Sequence, residues 1–294
     1  MGSFPEPPRR DRVRSIFSGR HPWKLELGRR TLLMGVLNLT PDSFYTASRC
    51  AGTDEALESA IRLQDAGADI VDVGGESTRP GSGGVSEEEE TARVIPVIER
   101  LSRALSVPIS VDTSKAGVAR RALAAGAWMI NDVSALTADP EMAEVAAGGG
   151  GPVVLMHMRG TPETMQAAPS YGDVVAEVGE FLSAAAAGAR KAGIAREMIV
   201  IDPGIGFGKT TEHNLELLAR LPELAALGYP VLVGPSRKSF IGKILGVEPP
   251  ERLWGTAGAA AAAAMLGADI VRVHDPAEIG QVLAVVDRIR EKMS

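Results

Sequence analysis

The feature that most constrains the fold is one pattern that repeats along the chain after residue 30. A short apolar run rich in β-branched residues ends in a polar residue, and a loop of Gly, Pro and Ser leads into a longer Ala-, Leu-, Glu- and Arg-rich stretch. Such runs are too short for helices, and their alternation with helical stretches is typical of buried parallel strands. The eight runs are Thr31–Leu37, Ile70–Val73, Pro108–Val111, Trp128–Ile130, Val153–Met156, Ile199–Ile201, Val231–Val233 and Ile270–Val273.

Eight strand–helix units within 294 residues predict an α/β protein with a single (β/α)₈ TIM barrel, in both count and length. A doubly wound open sheet is the structural alternative, but it usually has fewer strands, and no Gly-x-Gly-x-x-Gly follows the first run.

The sequence also indicates where two of the helices begin. Ser86 precedes the acidic turn Glu87–Glu90, and Thr211 precedes Glu212 and the apolar positions Leu215, Leu217 and Leu218.

Charge divides the chain unevenly, since residues 1–30 are basic while the whole chain has a formal net charge of −6. We interpret residues 1–25 as a loosely ordered extension before one barrel domain over residues 26–294, because no apolar block of a secretory signal is present. Net negative charge gives no reason to expect nucleic-acid binding, and no apolar run approaches the roughly 18 residues of a membrane span. The only cysteine, Cys50, excludes an intrachain disulfide and fits a reducing, cytoplasmic location.

Polar side chains follow almost every predicted strand. In a barrel the carboxyl ends of the strands form the mouth that carries the active site. A purely structural barrel does not need this many polar groups there, so we predict that they converge on one site. The residues are Asn38, Asp72, Asp112, Asn131, His157, Asp202, Ser236, Lys238, Arg272 and His274.

The segment Gly204–Lys209 is suggestive of a phosphate-binding loop, but the motif fails. Gly-x-x-x-x-Gly-Lys-Thr ending at Thr210 would require glycine at position 203, which is Pro203. We therefore expect these glycines to let the backbone turn tightly beside a flat ligand.

Taken together, seven motifs in this order closely resemble dihydropteroate synthase, the folate-pathway enzyme that sulfonamides inhibit, over about residues 31–290. They are residues 38–44 (NLTPDSF), 72–81 (DVGGESTRPG), 110–113 (SVDT), 130–132 (IND), 201–209 (IDPGIGFGK), 234–239 (GPSRKS) and 271–275 (VRVHD). The resemblance implies a TIM barrel and a transferase that joins 6-hydroxymethyl-7,8-dihydropterin pyrophosphate to p-aminobenzoate, releasing pyrophosphate and using Mg²⁺. It also implies a homodimer formed through the last helices, where Ala257–Ala264 offers a face of small residues.

The resemblance assigns expected roles to residues at the predicted mouth. The pterin would be held by Asp112, Asn131, Met156, Asp202 and Lys238. Pyrophosphate would be held by Asn38, Arg272 and His274, with Asn38 also contacting the metal. The p-aminobenzoate pocket would be lined by Thr78, Arg79, Pro80, Phe207 and Ser236. The catalytic residues would be Asp112, Lys238, Arg272 and His274.

These assignments agree with elementary chemistry. A carboxylate accepts two parallel N–H bonds from a pterin edge, and a guanidinium matches phosphate oxygens. Because the lone pair of an aromatic amine is delocalised, we expect pyrophosphate to leave first and the amine to capture a pterin cation. The sequence departs from the family after Phe44, where Tyr45–Arg49 replaces the common Ser-Asp-Gly-Gly, so this loop is expected to close differently.

Two other functions are compatible with the same fold. A methyltetrahydrofolate-dependent methyltransferase also has a strand-end Asn and pterin-binding Asp residues. Arg272 and His274 argue against it, because methyl transfer has no pyrophosphate to hold. A catalytically silent pterin-binding paralogue is favoured only by the altered loop at Tyr45–Arg49, and an activity assay would distinguish it.

Overall fold

A computed structural model describes residues 14–17, 21–39, 49–77, 83–161 and 163–293 of the protein. The first two strands form a two-stranded antiparallel sheet, and the other eight form one parallel sheet. The strands are β1 (Arg14–Phe17), β2 (Lys24–Leu27), β3 (Leu32–Asn38), β4 (Ile70–Gly74), β5 (Ile109–Asp112), β6 (Met129–Asp132), β7 (Val153–Met156), β8 (Ile199–Asp202), β9 (Leu232–Val233) and β10 (Ile270–Val273).

The eight-stranded sheet is closed into a barrel. Its order is β8-β7-β6-β5-β4-β3-β10-β9, with β8 and β9 at the two ends. A parallel bridge pairs Ile201 with Val231, and the amide of Ile201 donates to the carbonyl of Pro230 at 2.9 Å, so β8 meets the segment that leads into β9. This closure confirms the TIM barrel and excludes the open doubly wound sheet. The predicted apolar runs coincide with these eight strands, and their bounds agree to within two residues.

Helices follow the barrel strands and pack around them. They are α1 (Arg49–Asp65), α2 (Glu87–Ala104), α3 (Ala116–Ala125), α4 (Met142–Gly149), α5 (Val174–Lys191), α6 (Thr211–Ala219), α7 (Leu221–Ala225), α8 (Ser239–Leu245), α9 (Leu253–Met265) and α10 (Pro276–Arg290). Because the strands are covered by helices outside and by one another inside, most of their side chains are buried, as parallel sheets require. In the described part of the chain no helix has the length and apolar character needed to span a membrane.

The two predicted helix starts are found, one of them displaced. The hydroxyl of Ser86 accepts from the amide of Glu89 at 3.2 Å and caps α2, as expected. Helix α6 begins at Thr211, but its cap is Thr210, which exchanges hydrogen bonds with His213. The predicted apolar face was wrong at one position, because Leu215 points outward and is 45% exposed while its neighbours toward the core are buried.

The hairpin of β1 and β2 lies at the amino-terminal end of the barrel. Ile16, Leu25 and Leu27 are buried in the main core, and β1 contacts the 3₁₀ turn Arg196–Met198 that precedes β8. The described part of the predicted extension, residues 1–25, therefore includes β1 and the start of β2.

The small residues of α9 are used inside the chain. Ala257, Ala260, Ala263 and Ala264 are buried in the main core, and α9 packs against α10. The face of alanines that suggested a dimer contact therefore contributes to the packing of the barrel itself.

Candidate active site

The polar residues at the strand ends converge on the carboxyl mouth of the barrel. Asp112 ends β5, Asp202 ends β8, and Asn38 ends β3. Asn131 and Arg272 lie within β6 and β10, each one residue from the end of its strand. Thr78, Arg79 and Pro80 lie outside the described residues, as does most of the altered first loop, at residues 40–48.

At the centre of the mouth, Arg272 lies between two carboxylates. Its Nε donates to Oδ2 of Asp72 at 2.6 Å, and its Nη2 donates to Oδ2 of Asp112 at 2.8 Å. Burial opposes the charged form of Arg272, yet the two carboxylates raise its pKa above the usual value. Burial raises the pKa of Asp112 to about 7, against the opposing charge of Arg272. The guanidinium therefore keeps its charge, and its ion pair with Asp112 opposes the effect of burial on that carboxylate.

Asp202 lies at the mouth, at the end of β8, and is 6% exposed. Its Oδ1 accepts from the amide of Gly204 at 2.7 Å. Burial raises the pKa of Asp202 to about 6, although that hydrogen bond and the charge of Lys238 oppose the rise. The carboxylate is thus ionised at neutral pH at an energetic cost, which a ligand that donates N–H bonds would offset.

Lys238 and Phe207 form a cationic and aromatic wall beside Asp202. The Nζ of Lys238 lies 4.0 Å from the centroid of the Phe207 ring, within the range of a cation–π contact. Lys238 is also the N-cap residue of α8, so the start of that helix fixes its backbone. Phe207 packs with Met156 and Met165 in a small apolar cluster separate from the main core.

The loop Gly204–Gly208 turns as tightly as its glycines predict. Gly204, Gly206 and Gly208 have φ of +68°, +86° and +63°, a region that side chains disfavour. A Cβ added to Gly204 would lie 1.9 Å from the carbonyl oxygen of His157, and one added to Gly206 would lie 3.0 Å from Cδ of Lys238. The loop therefore brings bare backbone against both the β7 loop and the lysine of the mouth.

Ser236 and His274 are bonded to each other. The amide of His274 donates to the hydroxyl of Ser236 at 3.2 Å, and the same hydroxyl lies 2.9 Å from Nδ1 of His274. The hydroxyl can donate its own proton to Nδ1 while it accepts from the amide, and in that tautomer the neutral ring carries Nε2–H as a donor. Burial, followed by the charges of Arg272 and Arg237, lowers the pKa of His274 to about 4.

Cavities adjoin the mouth on two sides. One of about 340 Å³ extends from Asp112 and Met156 under the loops that follow β5, β6 and β7. Another of about 430 Å³ contains Asn38 and His274, between α1 and the start of α10. A cavity of about 630 Å³ lies at the opposite end, between β2 and α10, far from the strand ends that carry chemistry in barrels.

Sequence reasoning missed the role of Lys209 while rejecting the phosphate loop. Lys209 is buried, with 3% of its surface exposed. Its Nζ lies 2.9 Å from the carbonyl oxygen of Phe207 and 3.0 Å from Nδ1 of His157. Burial lowers the pKa of Lys209 to about 7 and that of His157 to about 3, so His157 is the neutral acceptor. These contacts join the β7 and β8 loops, and they give His157 a structural role.

A second missed cluster lies beside the mouth. Lys115 donates to Glu76 and, at 2.6 Å, to Oε2 of Glu90, whose side chain is fully buried. Burial opposes the charge of Lys115, but these two bonds raise its pKa above the usual value. The cluster ties the segment after β4 to α2 and to the end of β5, and only proximity in space reveals it.

Asp72 also has contacts at the mouth that could not be predicted from the sequence. It was noted only as a strand-end acid, and it accepts from both Asn131 and Arg272. Its position in a strand that ends at the mouth was the available signal, since its partners lie 59 and 200 residues away.

Comparison with known proteins gives one consistent result. The family described as pterin binding enzyme matches residues 34–274. The dihydropteroate synthase of Synechocystis sp. is 51% identical over 263 residues, covering 89% of this chain and 91% of that protein. The structure of Yersinia pestis dihydropteroate synthase with a sulfonamide drug complex has a TM-score of 0.88 at 44% identity, covering 94% and 99% of the two chains. The structure of Xanthomonas albilineans dihydropteroate synthase with 4-aminobenzoic acid has a TM-score of 0.87 at 46% identity, covering 95% and 99%.

Proposed function

The chain belongs to the family of pterin-binding enzymes and has the dihydropteroate synthase activity of its relatives, and on this premise we propose how its residues carry out the reaction. The enzyme is a transferase of folate biosynthesis that condenses 6-hydroxymethyl-7,8-dihydropterin pyrophosphate with p-aminobenzoate. The observation that carries the assignment of residues is the convergence of Asp112, Asp202, Lys238 and Arg272 on one mouth.

The pterin binds between Asp202, Asn131 and Lys238, with Asp112 on the side of the reduced ring. The carboxylate of Asp202 accepts N–H bonds from the pyrimidine edge, and Lys238 donates toward the ring oxygen. Met156 packs with Phe207 beside these groups and supplies an apolar surface for the flat ring. Burial of Asp202 supports this role, because an ionised carboxylate without a ligand is costly there.

Pyrophosphate binds to Arg272 and His274. The described residues provide acceptors for Nε and Nη2 of Arg272 and none for Nη1, so Nη1 can donate to phosphate oxygens. His274 contributes its Nε2–H, because Ser236 fixes the ring through Nδ1. Phosphate binding near the last two strands is common in barrels.

The expected Mg²⁺ fits the mouth only as an ion that is largely held by substrate. The described residues contain no cluster of three or more His, Cys, Asp or Glu that could ligate a metal. A Cβ added to Gly74 would lie 3.8 Å from Oδ1 of Asn38 and 3.7 Å from Oδ2 of Asp112, so two hard oxygen ligands border the bare backbone of Gly74. Asn38 would contact the ion, with phosphates and water as the other ligands. When bound, Mg²⁺ would neutralise charge on the departing pyrophosphate.

Bond cleavage precedes bond formation in the proposed order. The C–O bond between the pterin methylene and pyrophosphate breaks with its electron pair on pyrophosphate, and Arg272 and His274 stabilise that charge. Asp112 stabilises the pterin cation until the amine of p-aminobenzoate forms the C–N bond and transfers its proton to water. Phe207 and Ser236, with Thr78, Arg79 and Pro80, form the p-aminobenzoate pocket.

The assay is pyrophosphate release with and without p-aminobenzoate. We expect steady turnover with both substrates, and release without amine in single-turnover experiments with enzyme in excess. Absence of turnover with both substrates would contradict the assigned activity. An absolute requirement for p-aminobenzoate in single turnover would contradict only the order of steps, because the amine would then attack directly.

The protein also forms a homodimer, in this proposal, through apolar side chains exposed on the last helices. Trp254 of α9 is 77% exposed, and Ile244 and Leu245 of the adjacent α8 are 53% and 49% exposed. Large apolar side chains exposed together mark interaction surfaces. Sedimentation should give a dimer for the wild type and a monomer for Trp254→Asp. A monomeric wild type at micromolar concentration would exclude the dimer.

We also propose that the barrel domain covers residues 26–294, after a basic extension of residues 1–25 in which Ile16 and Leu25 pack into the main core. The single cysteine supports a cytoplasmic location, because chains of reducing compartments do not depend on disulfides. Fractionation of cells with an antibody to this protein tests the location.

A further inference from the structure

Asp72 connects two residues of the mouth from a position inside the barrel. It lies in β4, two residues before the strand ends, and its side chain is fully buried. Its Oδ2 accepts from Nδ2 of Asn131 at 2.9 Å and from Nε of Arg272 at 2.6 Å. Since β4 pairs directly with β3 and β5, these bonds reach across the barrel interior to β6 and β10.

The bond to Asn131 determines which way that amide points. An ionised carboxylate is only an acceptor, so it bonds Nδ2 and repels Oδ1. If the amide rotated by half a turn, two oxygens would face each other in a buried site. Asp72 therefore directs the carbonyl oxygen of Asn131 away from itself, where it can accept an N–H bond from a ligand.

The bond to Arg272 holds the guanidinium at its stem. Asp112 bonds the outer Nη2, whereas Asp72 bonds Nε, close to the point where the guanidinium joins the side chain. If Nη2 turned from Asp112 to a phosphate oxygen, the Asp72 bond would still fix the plane of the guanidinium. Planar recognition of phosphate depends on that plane.

This arrangement is costly for the stability of the barrel. The second oxygen of Asp72, Oδ1, has no hydrogen-bond partner among the described residues and no accessible surface. An unsatisfied buried acceptor destabilises a fold, and well-packed neutral residues often replace buried ion pairs without loss of stability. A structural purpose alone would be served better by a neutral side chain.

We propose that Asp72 is a positioning residue of the reaction, which orients the amide of Asn131 toward the pterin and holds Arg272 for the pyrophosphate. The residue acts through these two partners and does not touch the substrate. The inference rests on the proposed function for the identity of the ligands, but its geometric part concerns the protein without ligand.

The test uses Asp72→Asn, which keeps the shape of the side chain and removes its charge. We expect kcat/KM for the dihydropterin pyrophosphate to fall roughly 100-fold, the usual effect of misplaced binding groups. The KM for p-aminobenzoate should stay within about threefold of the wild type, because neither partner of Asp72 faces that substrate. In the ligand-free protein, the NMR signals of the Asn131 side-chain amide and of Nε–H of Arg272 should both shift.

The matched control is Asp287→Asn at the opposite end of the barrel. Asp287 is also a buried acid with several donors, since it accepts from the amide and hydroxyl of Thr31 and from Arg290. It should lower the free energy of unfolding and leave kcat/KM within about threefold of the wild type. A fall in Asp287→Asn equal to that in Asp72→Asn would reduce Asp72 to a structural role and overturn the proposal.

Two other outcomes distinguish the positioning role of Asp72 from the proposed function of the protein. Unchanged Asn131 and Arg272 signals in Asp72→Asn would overturn the positioning role even if the enzyme is active. A wild type without turnover would overturn the proposed function, while the NMR result would still judge the geometry. If Asp72→Asn does not fold, hydrogen exchange in the wild type tests the bond between Asp72 and Arg272. The Nε–H of the exposed Arg29 is the reference, and an Nε–H of Arg272 that exchanges equally fast would contradict the bond.

Discussion

Individual residues at the mouth are held in protonation states that cost stability, and Asp202 is the clearest case. Its pKa of about 6 lies above the ordinary 3.8, so the folded protein binds the proton more tightly than the unfolded chain. The wild type therefore loses stability as pH rises from about 4 to about 6, where the carboxylate ionises. Groups that bind ligands often carry such a cost.

Replacing Asp202 with a neutral residue should weaken pterin binding and raise the free energy of unfolding. We expect Asp202→Asn to lose pterin binding, because a neutral amide presents a donor to the N–H edge. Its free energy of unfolding should exceed that of the wild type by up to about 3 kcal/mol above pH 6, with little difference at pH 4. Calorimetric titration with a pterin and urea unfolding at both pH values measure the two effects. Equal stability at pH 8 would show that Asp202 is not destabilised by burial.

His274 offers a second prediction, on its charge. Its pKa of about 4 means a neutral ring at pH 7 in the protein without ligand. Inorganic pyrophosphate should raise that pKa, since a neighbouring anion favours the charged form. NMR titration of the ring with and without pyrophosphate measures the shift, and His157, which is bonded to Lys209, serves as an internal control. If saturating pyrophosphate leaves the pKa of His274 unchanged, this residue does not contact phosphate.

The location of several polar residues at the mouth could be predicted from the sequence, whereas the contacts between them could not. Asn38, Asp112 and Asp202 could be placed there because each directly follows a predicted apolar run, and such runs are a property of local sequence. The pairing of Arg272 with Asp72 and Asp112 was not predictable, because it depends on which side chains face each other inside a closed barrel. Lys209 was missed for the same reason, since its partners are backbone carbonyls and a histidine of another loop.

At the scale of elements, the loop Gly204–Gly208 is the part whose shape matters most. Gly206→Ala adds a Cβ at 3.0 Å from Lys238 and at a φ of +86°. We expect it to displace Lys238 and weaken pterin binding at least about tenfold, on the basis that small displacements of binding groups have large effects. Direct binding of a pterin gives the measurement.

The control for that prediction is Gly246→Ala at the end of α8. Gly246 has a similar φ of +69°, but no atom lies within 4 Å of an added Cβ. Both variants should therefore lose about 1 kcal/mol of stability from backbone strain, and only Gly206→Ala should lose affinity. Equal pterin affinity in the two variants would mean that the close approach to Lys238 is unimportant.

The sequence predicted the barrel elements well and the hairpin not at all. Each barrel strand lies in a dense apolar run, whereas β1 buries only Ile16 and β2 buries only Leu25 and Leu27. Arginines around β1 made this region resemble a solvated extension. Ile16 and Leu25 are buried only because the finished barrel offers them a surface, and local sequence does not contain that information.

For the whole molecule, the barrel separates stability at one end from chemistry at the other. Ile16→Ala in the hairpin should lower the free energy of unfolding by about 2–5 kcal/mol, since the side chain is 1% exposed in the main core. Its kcat should remain that of the wild type, because the mouth lies at the other end. The adjacent Phe17 is 52% exposed, so Phe17→Ala should have little effect on stability. A large fall in kcat for folded Ile16→Ala would contradict this separation.

The tight glycine loop has a consequence for how this enzyme can change under drug selection. A single substitution escapes an inhibitor only if the new side chain fits the protein and disturbs the compound. An added Cβ at Gly204 would meet a carbonyl oxygen at 1.9 Å, and one at Gly208 would meet another at 2.5 Å. The backbone of this loop is not altered by substitution, and few side chains fit there. A compound that contacts the loop therefore meets few resistance substitutions at these positions. We expect resistance substitutions to occur instead at positions of the mouth that contact the compound through side chains.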